Sequence, residues 1–203
     1  MFVKICGINS AEALDAAVSS GADAVGFVFA ESPRRVTPQQ AAELTAALPA
    51  GIAKVAVMLK PSVDQWNEVR DVFHPDWLQT DAPDFAELDV PDNIGRFPVY
   101  RDRVSTEFDK EPAELPEHIL FEGARSGVGL KPDWDHAAQV ARRTCLMLAG
   151  GLTPDNVTDA IIHVRPWGVD VSTGVESGPG RKDPAKIAAF VAAAREAEGA
   201  HGI

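Results

Sequence analysis

A chain of 203 residues with 45% hydrophobic and 24% charged content, and no shift in composition along its length, describes one well-packed domain over residues 1–203. Its net charge of -11 is spread along the chain and excludes a nucleic-acid face, which needs a basic surface, while the longest helical apolar run, IAAFVAAA, falls far short of the roughly 20 residues of a membrane span. The two cysteines, Cys6 and Cys145, form neither a CxxC pair nor a Cys/His spacing, so no metal site or disulfide is expected; with no signal segment ahead of the first apolar run, the reading is a cytoplasmic protein.

The first element, FVKICGI, puts Lys4 and Cys6 two apart and therefore on one face of a strand. An ammonium buried there needs a partner. Further apolar runs follow at ADAVGFVFA, IAKVAVML, DWLQTD, RFPVY, HILFEG, CLMLAGG and GVDVSTG, which makes eight in all. Helical patterns separate most of them, and their start signals can be named. Asn9 with Glu12, Thr37 with Gln40 and Ser62 with Gln65 read as capping boxes, and Thr153 and Asp183 each precede a proline suited to a first helical position. The exception is RDRVSTEFDKEPAELPE, whose prolines and charges give no apolar stripe, so the fifth helical unit is expected to be short or irregular. The final AAAREAEGAHGI reads as a helix end fraying into a tail.

Near-continuous apolar strands alternating with helices imply a parallel sheet covered on its outer side. Eight such units fit a compact (β/α)8 TIM barrel, an α/β fold in which the chemistry sits where strands run into the following loops. The residues there are Cys6, Phe29 with Arg34 beyond it, Lys60, Asp81, Arg101, Glu122, the AGG of the seventh run and the VSTG of the eighth. In a closed barrel the first strand pairs with the eighth, where Asp170 and Ser172 also lie two apart, so Asp170 is the expected partner of Lys4. A nearby cation lowers a thiol's pKa, which predicts a more acidic Cys6. Gly150 and Gly151 ahead of a capped helix, with Ser172, Thr173 and Gly174 on the next loop, form an anion cradle of backbone N–H groups at the usual phosphate position of such barrels. GPGRKD lacks the spacing of a P-loop. Cys145 begins its strand and reads as a small core residue; Trp134 reads as packing at the start of its helix; none of the five histidines is assigned a role.

VKICGI, GADAVGFVF followed by SPR, LAGGLTPDNV and GVDVSTGVESGPGRKDPAKI together resemble the phosphoribosylanthranilate isomerase family of tryptophan biosynthesis, over Val3 to about Ile187. The first and last of these motifs are specific to the family, whereas glycine-rich phosphate loops are widespread. The resemblance implies a cofactor-free Amadori rearrangement of N-(5-phosphoribosyl)anthranilate to 1-(2-carboxyphenylamino)-1-deoxyribulose 5-phosphate, on a small phosphoribosyl substrate, by a monomer or weak homodimer. It implies Cys6 as the general base at the sugar C2, a general acid at the end of the sixth strand, and Arg34 in contact with the anthranilate moiety. Lys4, Asp81 and Asp170 join the substrate-binding set.

The chain departs from the family's pattern twice. The acid position, usually aspartate, carries Glu122, and a position usually histidine on the fourth strand carries Asp81. Both changes retain a group able to exchange protons. Two other readings compete: a dual-substrate or other phosphosugar isomerase or epimerase barrel, whose members use aspartate where this chain has Cys6, and a non-catalytic phosphosugar-binding protein, which the altered Glu122 and Asp81 would motivate.

Overall fold

The computed structural model describes residues 1–102, 114–124 and 129–201. Eight parallel strands follow one another in chain order and close into a barrel: β1 (Phe2–Cys6), β2 (Ala24–Val28), β3 (Ala53–Val57), β4 (Trp77–Asp81), β5 (Gly95–Arg101), β6 (His118–Glu122), β7 (Cys145–Leu148) and β8 (Gly168–Val171). Around it lie α1 (Ala11–Ser19), α2 (Pro38–Leu44), α3 (Val63–Phe73), α4 (Trp134–Ala141), α5 (Val157–Val164) and α6 (Pro184–His201). The eight expected strands are all present. A 3-10 turn, Ala82–Ala86, follows β4 in place of a helix. The expected irregular fifth helical unit falls mostly on residues outside those described.

Alternation along each strand divides the apolar residues between two cores. Val3, Ile5, Val25 and Phe27 pack outward beneath the helices. Ala24, Val55, Phe97, Leu120 and Met147 fill the barrel interior. At the N-terminal end of the barrel, Phe2 stacks on Trp167 at 4.6 Å and Trp77 on Phe97 at 4.3 Å, with His118 edge-on to both tryptophans. These rings form a floor, which leaves the opposite end for polar side chains and open space.

Thr37 with Gln40 and Ser62 with Gln65 form reciprocal capping boxes, and Asp183 accepts from the N–H groups of Ala185 and Lys186. Two starts differ from expectation. Ser10 rather than Asn9 caps α1, because the Asn9 amide is turned away to donate to the carbonyl of Gly180. Asn156 rather than Thr153 precedes α5, because Pro154 opens a turn in which Asn156 accepts from the Thr153 N–H and donates to the Gly151 carbonyl. Both asparagine side chains thereby brace loops at the open end. After β8 the chain does not run straight into α6: a 3-10 turn, Thr173–Val175, leads to a hairpin of β9 (Glu176–Gly178) and β10 (Arg181–Lys182).

Candidate active site

A cavity of about 210 Å³ opens at the C-terminal end of the barrel. Cys6, Arg34, Asp81, Glu122, Gly150, Gly151, Asp170, Ser172 and Thr173 all line it, so sequence positions spread over the whole chain converge on one space. Lys4 lies beneath it, fully buried, and Gly174 continues the loop just behind Thr173. Lys60, by contrast, is three residues beyond the end of β3, and its side chain is exposed.

The strand register produces the deepest contact. Lys4 is directly opposite Asp170 in the β1–β8 pair, and its Nζ donates to Asp170 Oδ1 at 2.7 Å. The same ammonium donates to Gln79 Oε1 on β4 at 2.9 Å, a partner that no local pattern indicates. Burial alone would lower the lysine's pKa, but Asp170 and, less strongly, Cys6 outweigh it, and the ammonium is held above its ordinary value. Gly26 on β2 makes room for both side chains, since a Cβ there would lie 3.1 Å from both Cys6 Sγ and Lys4 Cε.

Cys6 itself differs from the sequence expectation. Burial pushes its thiol up and Asp170 adds to that, while Lys4 and Lys182 oppose it without prevailing. The proximity of Lys4 was read correctly, yet a site enclosed enough to bury the thiol penalises its anion by more than one paired ammonium returns. The thiol is therefore the favoured form at neutral pH.

Across the barrel, Arg101 at the end of β5 sits between two carboxylates. Its Nη2 is 2.6 Å from Asp81 Oδ1 and its Nε is 3.2 Å from Glu122 Oε1, both ion pairs. Burial opposes the guanidinium's charge, but the two acids more than compensate and its pKa is raised. Glu122 thus has a cation beside it.

Arg34 reaches the cavity from the loop after β2, but its Nε and Nη2 are engaged by Glu176 at 2.6 and 2.9 Å. Glu176 also accepts from Lys182 at 2.9 Å, and Lys182 donates on to the carbonyl and hydroxyl of Ser172. At the rim, Gly150 and Gly151 have φ of +88° and +64°, a consecutive left-handed pair in which a Cβ on Gly151 would press on Lys131 and the carbonyl of Gly129. Only glycine adopts such angles without strain, so the backbone at the rim carries no side chain and can be approached closely.

Comparison with known proteins bears directly on this site. The family model for N-(5'-phosphoribosyl)anthranilate isomerase matches residues 3–193. The chain belongs to this isomerase family. Its similarity to the N-(5'-phosphoribosyl)anthranilate isomerase of Geotalea uraniireducens is 39% identity, covering 95% of this chain and 98% of that one. To the enzyme of Geobacter sulfurreducens it is 41% identity, covering 95% and 98%. A solved phosphoribosyl anthranilate isomerase in complex with reduced 1-(o-carboxyphenylamino)-1-deoxyribulose 5-phosphate superposes with a TM-score of 0.79 at 33% identity, covering 97% of this chain and 99% of that one. The Thermus thermophilus enzyme gives a TM-score of 0.80 at 26% identity, over 97% and 99%.

Asp81 and Glu122, the two positions read from sequence as departures, are joined physically, since Arg101 contacts both. Arg101 stands at a strand end where the sequence places chemistry but assigns it no role, and Gln79, Asn156, Glu176 and Lys182 carry no site assignment from sequence. For Glu176 and Lys182 a signal existed, because both lie within GVESGPGRKD, the motif that carries much of the family resemblance. Among the described residues, no three His, Cys, Asp or Glu side chains gather as a metal site, and no helix is long and apolar enough to cross a membrane.

Proposed function

We propose that this member of the isomerase family converts N-(5-phosphoribosyl)anthranilate to 1-(2-carboxyphenylamino)-1-deoxyribulose 5-phosphate, with Cys6 as general base and Glu122 as general acid. The observation that carries the assignment of roles is the placement of a thiol on β1 and a carboxyl group on β6, three strands apart around the barrel, on the wall of one cavity. Glu122 gives a proton to the ribose ring oxygen as the C1–O bond breaks. The lone pair of the anthranilate nitrogen closes onto C1, giving a C=N bond and a cationic iminium. Cys6, as thiolate, then takes the proton from C2 and becomes the thiol, the C2–H electron pair moves into C1–C2 as the C1=N pair returns to nitrogen, and the resulting enol-amine becomes the ketone by gaining a proton at C1 and giving up the proton of its C2 hydroxyl.

This order suits the electrostatics. A thiol that burial keeps protonated gives up its proton to solvent more easily once a cationic iminium forms beside it, so ring opening prepares the base for the second step. The phosphate rests on the loops after β7 and β8, at Gly150, Gly151, Ser172, Thr173 and Gly174. Lys4 and Asp170 hold the floor beneath the sugar, Asp81 sits beside the acid through Arg101, and Arg34 faces the anthranilate carboxylate, where a guanidinium matches the anion's geometry. The chemistry is acid–base throughout and asks for no cofactor. We place the enzyme in the cytoplasm as a monomer or weak homodimer; the Thermotoga maritima isomerase is described as dimeric, and monomers generated from it have been solved.

The test is turnover by the purified protein, followed as loss of phosphoribosylanthranilate and, separately, of the aminoaldose of histidine biosynthesis. Turnover of the first is the expected result. Turnover of the second alone, or of neither, overturns the assignment.

A further inference from the structure

The hairpin β9–β10 carries a motif that the acid–base mechanism leaves unused. Its register sets Lys182 opposite Glu176, so two residues six apart in sequence become side-by-side partners. The turn at Gly180 has φ of +72°, and a Cβ there would lie 2.5 Å from the carbonyl of Pro33, so the hairpin tip abuts the loop that carries Arg34. Lys182 is 7% exposed and Arg34 8%, which leaves Glu176 between two nearly buried cations. The Glu176 carboxylate is held below its usual range: burial would raise it, and the bonds from Arg34 and Lys182 overcome that. For Lys182 the balance runs the other way, since burial draws its pKa down despite Glu176. The pair stands on its geometry, with Lys182 Nζ 2.9 Å from Glu176 Oε1.

We infer that Glu176 is a positioning residue that selects for a carboxylate on the substrate's aryl ring, by gripping Arg34 along its Nε–Nη2 edge and leaving the Nη1 group for the ligand. This rests on the proposed function above and adds to it the residue that orients the specificity-bearing arginine. Arg34 lines the cavity, and its Nη1 has no hydrogen-bond partner among the described residues. A guanidinium free to rotate would have to give up that freedom on binding; a bidentate grip from Glu176 fixes its orientation in advance. Lys182 lets the carboxylate stay charged, and by binding both oxygens of Ser172 it ties the grip to the loop after β8.

The test compares two ligands by titration calorimetry: reduced 1-(o-carboxyphenylamino)-1-deoxyribulose 5-phosphate and the same compound with an unsubstituted phenyl ring. The wild-type protein should prefer the carboxyphenyl ligand at least tenfold. Glu176→Gln leaves one acceptor and no charge, and should lower affinity for that ligand about tenfold while changing affinity for the phenyl ligand less than threefold, with KM rising and kcat within about threefold. In an Arg34→Ala background, adding Glu176→Gln should change the preference less than twofold. Glu176→Asp keeps the charge beside Lys182 but cannot reach both guanidinium nitrogens, and supplies the same comparison should Glu176→Gln fail to fold. Equal losses for both ligands, no loss for either, or a full effect without Arg34 would each overturn the inference. A wild-type protein that binds neither ligand would overturn the proposed function instead.

Discussion

Removing Asp170 tests the Lys4 pair, because Lys4 is 0% exposed and Asp170 is its anionic partner at 2.7 Å. In Asp170→Ala the ammonium keeps the Gln79 carbonyl at 2.9 Å but loses its counter-charge. Breaking a buried pair by deleting one member costs about 3–5 kcal/mol. An upper bound follows independently. Rather than remain a bare buried charge, Lys4 can release its proton, and at pH 7 this costs at most about 1.4 kcal/mol for each of the roughly 3.4 pH units below the ordinary lysine value, or about 5 kcal/mol. The two figures agree. The bound also carries a pH signature. In the variant the folded state has a depressed lysine pKa and the unfolded state an ordinary one, so the unfolded chain binds more protons and stability rises with pH. The penalty should therefore shrink to about 2 kcal/mol at pH 9. Urea denaturation of wild type and variant at the two pH values measures this. Replacing both partners, Lys4→Met with Asp170→Ala, should recover most of the loss, since no charge is then left buried. A penalty below about 1 kcal/mol at pH 7, the same penalty at both pH values, or a double variant as unstable as the single would refute the reasoning.

Cys6→Ser should fold normally and lose at least about a hundredfold in turnover, the usual consequence of losing a general base. Since burial raises the Cys6 thiol and the base acts deprotonated, kcat/KM of the wild type should still be climbing as pH rises through about 8.5; a plateau reached below pH 7 would remove the thiol from that role. Glu122→Gln should slow the chemical step by about 10² to 10⁴, whereas Glu122→Asp asks whether the strand end has adapted to the longer side chain: a fall in rate says that it has, a rise that glutamate was tolerated, and wild-type rates in Glu122→Gln would transfer the acid role to Asp81. Inorganic phosphate should compete with substrate and raise the melting temperature through binding to the native state, and failure to do either would count against the cradle at Gly151 and Thr173.

What the sequence alone determined was whatever is encoded within a few neighbouring residues. Strand alternation and helix period set the eight units, and Thr37, Ser62 and Asp183 capped helices where expected because a cap acts across three positions. Chain order with parallel strands then placed Cys6, Asp81, Glu122 and the paired glycines at one end of the barrel, and barrel closure set Asp170 beside Lys4. The two misplaced caps show where this reach ends: Asn9 and Thr153 had local claims as strong as their neighbours', but the Gly180 carbonyl drew the Asn9 side chain into a loop, and Asn156, bonded to the Thr153 N–H and the Gly151 carbonyl, took the start of α5. Only the tertiary structure decided which groups share a charge. Gln79 meets Lys4 across 75 residues and Glu176 meets Arg34 across 142, contacts that exist only once the sheet has closed and the hairpin has folded over it. It also decided the direction in which the Cys6 thiol moves, because that direction is the difference between burial and the field of the surrounding charges, and neither is set until every strand is in place.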